Sequence, residues 1–183
     1  NLQKFDWSEI QADTNEVTGG RVYHTPDGPA PSVTTILGSL PNPELDEWRE
    51  RVGAEEADRI STEAATIGTY MHDMLEAKLT SQPFPYDGSD LENLARPMAK
   101  AVQLYGFKKL REVWAVEIPL HYVNLYAGRT DLIGVYNGDP SIMDYKTSRY
   151  IKPPEHLTKY RLQIAAYSMA AEHMFGIPFN RGI

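Results

Sequence analysis

Hydrophobic residues in the first half of this chain follow a helical spacing, and beyond residue 110 they follow the spacing of β-strands. Within residues 61–80 the apolar positions recur every three or four residues, which predicts one buried face of an α-helix. They are Ile67, Met71, Met74, Leu75 and Leu79. We therefore expect helices first and a sheet later, with a last helix beyond it.

Turn and capping residues refine this pattern into predicted elements. A hairpin is predicted over residues 16–24, with Gly19-Gly20 in its turn. Pro43 and Ser61 are the predicted starts of the second and third helices, and Pro97 is expected to kink the fourth. The predicted helices are Ser32 to about Gly38, 43–60, 61–80, 90–107 and 154–175. The predicted strands are 112–120, 125–136 and 141–147. This order favours an α/β or α+β fold built around one sheet.

Composition narrows the function classes. The 183 residues contain no cysteine, which excludes disulfides, Cys-ligated zinc and a Cys-held iron–sulfur cluster. No apolar run is long enough to span a bilayer, so we expect an intracellular, cytoplasmic protein with no membrane partner. The net charge of −7 is unevenly spread: residues 44–92 hold 13 acids and 4 bases, whereas residues 93–183 hold 7 acids and 12 bases. A basic half is compatible with nucleic-acid binding and equally with a solvated face.

Two adjacent predicted strands, YAGRTDLIGVY and SIMDYKTS, carry the candidate chemistry. They are joined by NGDP, which we interpret as a four-residue loop that pairs Tyr136 with Ser141. In that register Asp131 lies opposite Lys146, with Asp144 diagonally across. Cross-strand neighbours share a face, so the two carboxylates are predicted to lie roughly 7–8 Å apart at the backbone. A one-residue bulge would break this arrangement.

Two carboxylates beside an ammonium suit a divalent-metal site for phosphodiester hydrolysis. Hard oxygen ligands bind Mg²⁺ or Mn²⁺, and a lysine can stabilise developing charge. The alternative for a bare D-x-K is an ordinary ion pair on a solvated strand. Gly68, His72 and Glu76 recur four residues apart on the third helix, where a single histidine is more often a packing residue. Gly68 would allow another backbone to approach closely.

Four short motifs follow one another along the chain: G-x-x-x-H, G-R-T-D, I-x-D-Y-K-T-S and Q-x-x-x-Y. In this order they resemble the RecB-type branch of the PD-(D/E)XK nucleases. The stretches PSVTTIL, AGRTDLIGVYNG, IMDYKTS and LQIAAYSMA look closest to the family of the mitochondrial genome maintenance exonuclease with its phage and bacterial relatives. The resemblance covers residues 31–175.

The resemblance implies a restriction-endonuclease-like core, in which helices flank a central mixed sheet that contains a strand meander. It implies one nuclease domain over residues 1–183, mainly helical with a small hairpin over 1–107, and with the metal-site sheet and last helix over 108–183. FNRGI looks like the entrance to a further strand, so the final strands are expected to be missing. The implied activity is Mg²⁺- or Mn²⁺-dependent exonuclease cleavage of DNA at single-stranded ends or flaps, in replication, repair or recombination, with replication or recombination proteins as possible partners. A structure-specific endonuclease and a non-catalytic nucleic-acid-binding module are the alternatives.

The resemblance also assigns roles to residues. The implied metal ligands are Asp131, Asp144, the Tyr145 carbonyl and His72, and Lys146 is the implied catalytic lysine. Gln163 and Tyr167 would orient the active site and touch nucleic acid. Further nucleic-acid contacts are expected from Thr147, Ser148, Arg149 and Arg129. Glu117 is either a further active-site carboxylate or a strand residue that faces water, and Glu76 is a second additional candidate.

Overall fold

The computed structural model describes residues 10–14 and 19–183. The described residues form two compact units. The first consists of the described part of residues 1–39 together with residues 109–144 and 150–183. The second consists of residues 40–108 and 145–149.

The elements are numbered here in chain order. The strands are β1 (Gln11–Thr14), β2 (Arg21–Thr25), β3 (Gly28–Pro31), β4 (Leu110–Tyr122), β5 (Tyr126–Tyr136), β6 (Asp139–Met143) and β7 (Arg181–Gly182). The α-helices are α1 (Val33–Gly38), α2 (Pro43–Val52), α3 (Ala54–Thr80), α4 (Asp90–Ala101) and α5 (Thr158–Phe175). A π-helical turn covers Val102–Gly106, and 3-10 turns cover Phe107–Lys109 and Pro154–Leu157.

The first unit contains two sheets. Strands β1, β2 and β3 form a small antiparallel sheet, and β4, β5, β6 and β7 form a mixed sheet in that order. Strands β4 to β6 are an antiparallel meander, and β7 pairs in parallel with β6. The core joins this sheet to α1 and α5 through buried residues that include Val33, Ile118, Ile142 and Tyr167. The predicted α+β fold with a mixed sheet and flanking helices is confirmed.

The second unit is helical and has its own core. Met71, Met74 and Leu75 of α3 pack with Ala95 and Ala99 of α4. Met71, Met74 and Leu75 belong to the predicted stripe, which confirms that its spacing identified the buried face of α3. No helix in the part of the chain that the structure describes is both long and apolar enough to cross a membrane.

The predicted boundary between the second and third helices is wrong. Helix α2 ends at Val52 because Gly53 has a φ of 88°, a left-handed conformation that glycine adopts without strain. Helix α3 then runs unbroken from residue 54. Ser61 lies inside it and donates its hydroxyl proton to the Ala57 carbonyl over 2.7 Å instead of capping a helix.

Two other predicted elements also differ. The predicted hairpin at 16–24 falls partly on residues 15–18, which lie outside the described residues; its second strand is β2, while the first strand, β1, lies earlier in the chain. The third strand of that sheet, β3, was not predicted. The predicted fourth helix ends as an α-helix at Ala101, with Pro97 inside it, and continues as the π-helical turn.

The predicted register between β5 and β6 is wrong by two residues. Tyr136 pairs with Asp139 rather than with Ser141. The connection is the two-residue turn Asn137-Gly138, whose φ values of 53° and 93° are both positive. Two positive φ values are typical of a type I′ hairpin turn, whose twist matches that of the flanking strands. Strand β6 therefore ends at Met143, and Lys146 is not a cross-strand neighbour of Asp131.

Candidate metal centre and active site

Two carboxylates meet where β4 pairs with β5. The pairs Val116–Leu132 and Ile118–Thr130 flank the position at which Glu117 faces Asp131. The carboxylate oxygens of Glu117 and Asp131 lie within 4.8 Å of each other. Asp131 is 6% exposed, and Glu117 is half-buried. The sheet thus holds two acids side by side away from bulk water.

Glu117 also has an uncommon backbone conformation. Its φ of 51° lies in the left-handed region, which residues with a Cβ adopt at a cost of about 1–3 kcal/mol. Strained residues of this kind cluster at functional sites because the surrounding structure over-determines them. The strain, which no sequence pattern indicated, is therefore a reason to consider Glu117 part of the site.

Asp144 follows the last paired residue of β6. Leu132 pairs with Met143, so one further step of the register brings the backbone of Asp144 beside that of Asp131. The buried Thr130 hydroxyl donates to the Met143 carbonyl over 3.3 Å. The Asp144 amide donates to the Ile183 carbonyl over 3.0 Å. The end of β6 is thereby fixed on both sides, which positions Asp144.

Helix α5 supplies two buried polar side chains to the same region. Gln163 Nε2 donates to Asp144 Oδ1 over 3.0 Å and to the Tyr167 hydroxyl over 3.2 Å. Burial raises the pKa of Tyr167 above its ordinary range, and the negative charges of Asp144 and Asp131 raise it further. Tyr167 is therefore a neutral phenol close to both carboxylates.

Gly128, the first residue of G-R-T-D, makes room for Tyr167. A Cβ at position 128 would lie 2.5 Å from Tyr167 Cε1, which is closer than any van der Waals contact. The glycine of one motif and the tyrosine of another are thus required by the same packing. Neither the role of Gly128 nor that of Thr130 was predicted from the sequence, which showed them only as members of the G-R-T-D motif.

In the second unit, His72 lies against the residue that follows Asp144 in the chain. His72 Nε2 is 3.1 Å from the carbonyl oxygen of Tyr145, and the two rings meet edge to face at 5.7 Å. Adjacent ligands of an octahedral ion with bonds of about 2.1 Å are themselves about 3.0 Å apart. Without an ion this contact is a hydrogen bond in which Nε2–H donates to the carbonyl oxygen. If the ring proton moves to Nδ1, Nε2 and the carbonyl oxygen would offer two lone pairs to an ion at this separation.

The segment after Tyr145 has no regular secondary structure, and Lys146, Ser148 and Arg149 in it are exposed. The hydrogen bond from Arg59 lowers the pKa of Glu56, and the charge of Arg149 adds to this effect. A Cβ at Gly68 would lie 3.6 Å from the Thr147 hydroxyl, an ordinary contact. The expectation that another backbone approaches Gly68 closely is therefore wrong.

The two remaining candidates, Arg129 and Glu76, belong to different units. Arg129 is exposed on β5, two residues before Asp131. Glu76 lies on α3 and lines a cavity of about 430 Å³ together with Asp73. That cavity and its acidic pair belong to the second unit.

The family of the chain follows from a comparison with known protein families. The family model of the PD-(D/E)XK nuclease superfamily matches residues 44–178, most of the chain. The chain belongs to this nuclease superfamily. A search of the curated proteins found no match. Membership implies a hydrolase that binds nucleic acid and cleaves it with the help of a divalent metal ion.

The residues of this nuclease suit such an ion. Glu117 and Asp131 offer carboxylate oxygens, the hard donors that Mg²⁺ and Mn²⁺ prefer. These two carboxylates lie within 4.8 Å of each other, a separation that one ion can bridge. Carboxylate donors that converge in this way fit the divalent ion that the family implies.

Proposed function

We propose that this nuclease is an exonuclease that hydrolyses phosphodiester bonds of DNA at single-stranded ends or flaps, with Mg²⁺ or Mn²⁺ as cofactor. The observation that supports the catalytic part best is the pair of carboxylates on Glu117 and Asp131, whose oxygens lie within 4.8 Å. The exonuclease part is supported by the resemblance of the four motifs to the RecB-type branch and to the family of the mitochondrial genome maintenance exonuclease.

In this proposal Asp131 and Asp144 hold the ion, and Glu117 adds a third carboxylate. His72 and the Tyr145 carbonyl are proposed as further ligands, in keeping with the 3.1 Å between their donor atoms. A bound divalent ion polarises the phosphoryl oxygen and makes a bound water more acidic.

The other residues of the proposed site orient a metal ligand and neutralise charge on the phosphate. The Gln163 amide holds Asp144 Oδ1 in place, and the neutral Tyr167 phenol accepts a hydrogen bond from the same amide. The Lys146 ammonium stabilises the charge that develops on the phosphate and orients the attacking water. Backbone phosphates of the strand are proposed to contact Thr147, Ser148, Arg129 and Arg149.

The acidic stretch over residues 44–92 bears on the form of the substrate. Its 13 acids against 4 bases repel the dense charge of a duplex more than that of a single strand. We therefore favour single-stranded ends over duplex ends. A role in replication, repair or recombination, in the cytoplasm of a bacterial or phage-infected cell, is consistent with this substrate.

The test compares end-labelled linear single-stranded DNA with a closed single-stranded circle, each with Mg²⁺, Mn²⁺ or EDTA. We expect metal-dependent degradation of the linear strand and survival of the circle. Lys146→Ala should abolish cleavage, whereas Lys108→Ala, a change at an exposed lysine outside the proposed site, should not. Labels at either end report the polarity.

Two results would redirect the proposal. Cleavage of the circle would replace the exonuclease by an endonuclease of the same fold, because a circle has no ends. Binding of DNA without cleavage in any metal would replace it by a non-catalytic nucleic-acid-binding module.

A further inference from the structure

A cavity of about 420 Å³ between α3 and α4 lies within the second unit. Three cationic side chains line it, Lys78, Arg96 and Lys100, together with the rings of Phe84 and Tyr86. Its volume falls within the range of about 300–1,000 Å³ that is typical of small-molecule pockets. Among the described residues that line it there is no acid. The adjoining stretch of the chain is rich in acids, so this absence gives the cavity a distinct positive character.

The two lysines are available to a ligand. Lys78 on α3 and Lys100 on α4 are both exposed. Within the part of the chain that the structure describes, neither ammonium forms a hydrogen bond or an ion pair. Two uncompensated ammonium groups at one cavity attract an anion, and a phosphate diester is a suitable one.

Tyr86 is fixed in place although it is largely exposed. The residue is 60% exposed, with the Arg96 guanidinium 4.3 Å from the ring centroid and Phe84 packed edge to face at 4.7 Å. Arg96 donates two hydrogen bonds, of 2.8 and 2.6 Å, to one oxygen of Glu92, which is fully buried. The other oxygen of Glu92 accepts from the backbone amides of Asp87 and Gly88. The Tyr86 ring thus packs against a guanidinium that a fully buried carboxylate holds in place.

We propose that this cavity binds one nucleotide of a single-stranded nucleic acid. The base stacks against Tyr86, and the backbone phosphate lies between Lys78 and Lys100. Cations that follow the backbone combined with aromatic rings that stack on bases are the usual means of binding single strands without sequence preference. This inference rests on the proposed function in one respect: the single strand that the cavity binds is the substrate that the nuclease cleaves.

The test measures binding without cleavage. Anisotropy of fluorescently labelled dT12 and U12 is followed in EDTA over a series of salt concentrations. The variants are Tyr86→Leu and the double change Lys78→Gln with Lys100→Gln. The matched controls are Tyr105→Leu, on the π-helical turn and 76% exposed, and Lys108→Gln. Thermal unfolding followed by circular dichroism shows that each variant is folded.

We expect Tyr86→Leu to weaken binding by about 5-fold to 150-fold, the range for the loss of one stacked base. The double lysine variant should lower the slope of log affinity against log salt by about 1.4, because each single-strand phosphate contact contributes about 0.7. The controls should bind as the wild type does. Equal losses for dT12 and U12 mean that the cavity takes either sugar, and a loss for only one identifies the nucleic acid; both support the inference.

Three results would overturn the inference. The first is that the folded Tyr86→Leu and double lysine variants bind the oligonucleotides as tightly as the wild type does, and the second is that the control variants lose as much affinity as they do. The third is that the variants lose affinity for a polyglutamate peptide to the same extent, which would make the cavity a general anion site. Cleavage of the linear strand is measured separately with the wild type. Normal cleavage with unchanged binding by the variants refutes the cavity alone. Weakened binding by the variants without cleavage by the wild type refutes the proposed function alone.

Discussion

Removing the charge of Glu117 should stabilise the metal-free protein. The carboxylate oxygens of Glu117 and Asp131 lie within 4.8 Å, and Asp131 is buried. Two unit charges at this distance repel each other by about 3 kcal/mol at an effective dielectric constant of 20, and by about 1 kcal/mol in water. Glu117→Gln keeps the shape of the side chain and removes this repulsion. We therefore expect its free energy of unfolding in EDTA to exceed that of the wild type by about 1–3 kcal/mol.

The backbone strain at Glu117 must be separated from the charge. Its φ of 51° costs about 1–3 kcal/mol, and Glu117→Gln keeps this backbone conformation. The strain is therefore the same in both proteins, and the change in stability reports the charge. Val123 has the same φ of 51° at an exposed turn position, and Val123→Gly is therefore the control for the backbone alone.

Urea unfolding followed by circular dichroism, in EDTA and in Mn²⁺, tests this reasoning. A metal at 100 times its dissociation constant stabilises the folded wild type by about 2.7 kcal/mol, and a tenfold loss of affinity removes about 1.4 kcal/mol of that gain. Glu117→Gln should thus be more stable without metal and gain less from it, whereas Val123→Gly should gain as much as the wild type. If Glu117→Gln is less stable in EDTA, repulsion from Asp131 does not dominate at this position. If it gains as much from Mn²⁺ as the wild type does, Glu117 is not a ligand.

Further predictions concern glycines and α5. Gly128→Ala should lower the free energy of unfolding by about 1–3 kcal/mol because its Cβ meets the Tyr167 ring. Gly68→Ala should raise it by about 1 kcal/mol, because alanine favours a helix over glycine and its Cβ makes only an ordinary contact. Urea unfolding measures both. Gln163→Leu removes the donor to Asp144 and should slow cleavage by about 10- to 100-fold with an unchanged circular dichroism spectrum. The pKa of Tyr167 is raised in the folded protein. The stability linked to its protonated form is therefore complete below pH 10 and is lost as the pH rises through the folded value. Between about pH 9 and 11 the unfolding temperature of Tyr167→Phe should fall less than that of the wild type.

The elements that depend on hydrophobic spacing were predictable. The stripe through Met71, Met74 and Leu75 is the buried face of α3, and the first two meander strands lie close to their predicted positions. The third was predicted at 141–147 and lies at Asp139–Met143. A buried face imposes a period on the sequence, and this period can be read without knowledge of the partner surface. The helix boundary at Gly53 was not recognised, because Ser61 is equally compatible with a helix cap and with a helix interior, where its hydroxyl bonds the preceding turn.

The strain at Glu117 could not have been predicted. Glutamate has no preference for the left-handed region, and the paired strand around Glu117 would by itself predict an extended backbone. The contact of Gly128 with Tyr167 was equally hidden, because it joins positions 39 residues apart in the chain, as their numbers show. Both features arise from tertiary packing, which leaves no periodic trace in a single sequence.

The predicted neighbourhood of Asp131 and Asp144 does not depend on the register that was predicted for it. The four-residue loop assumed at Asn137 is in fact a two-residue turn, which shifts the pairing of β5 and β6 by two positions. Side chains alternate between the faces of a sheet with a period of two, so an even shift leaves both aspartates on the same side, and a shift of one would have separated them. The same shift ends β6 at Met143 and removes Lys146 from the strand. Which acids share a face was therefore a sound inference from the sequence, whereas the position of the lysine required the turn geometry.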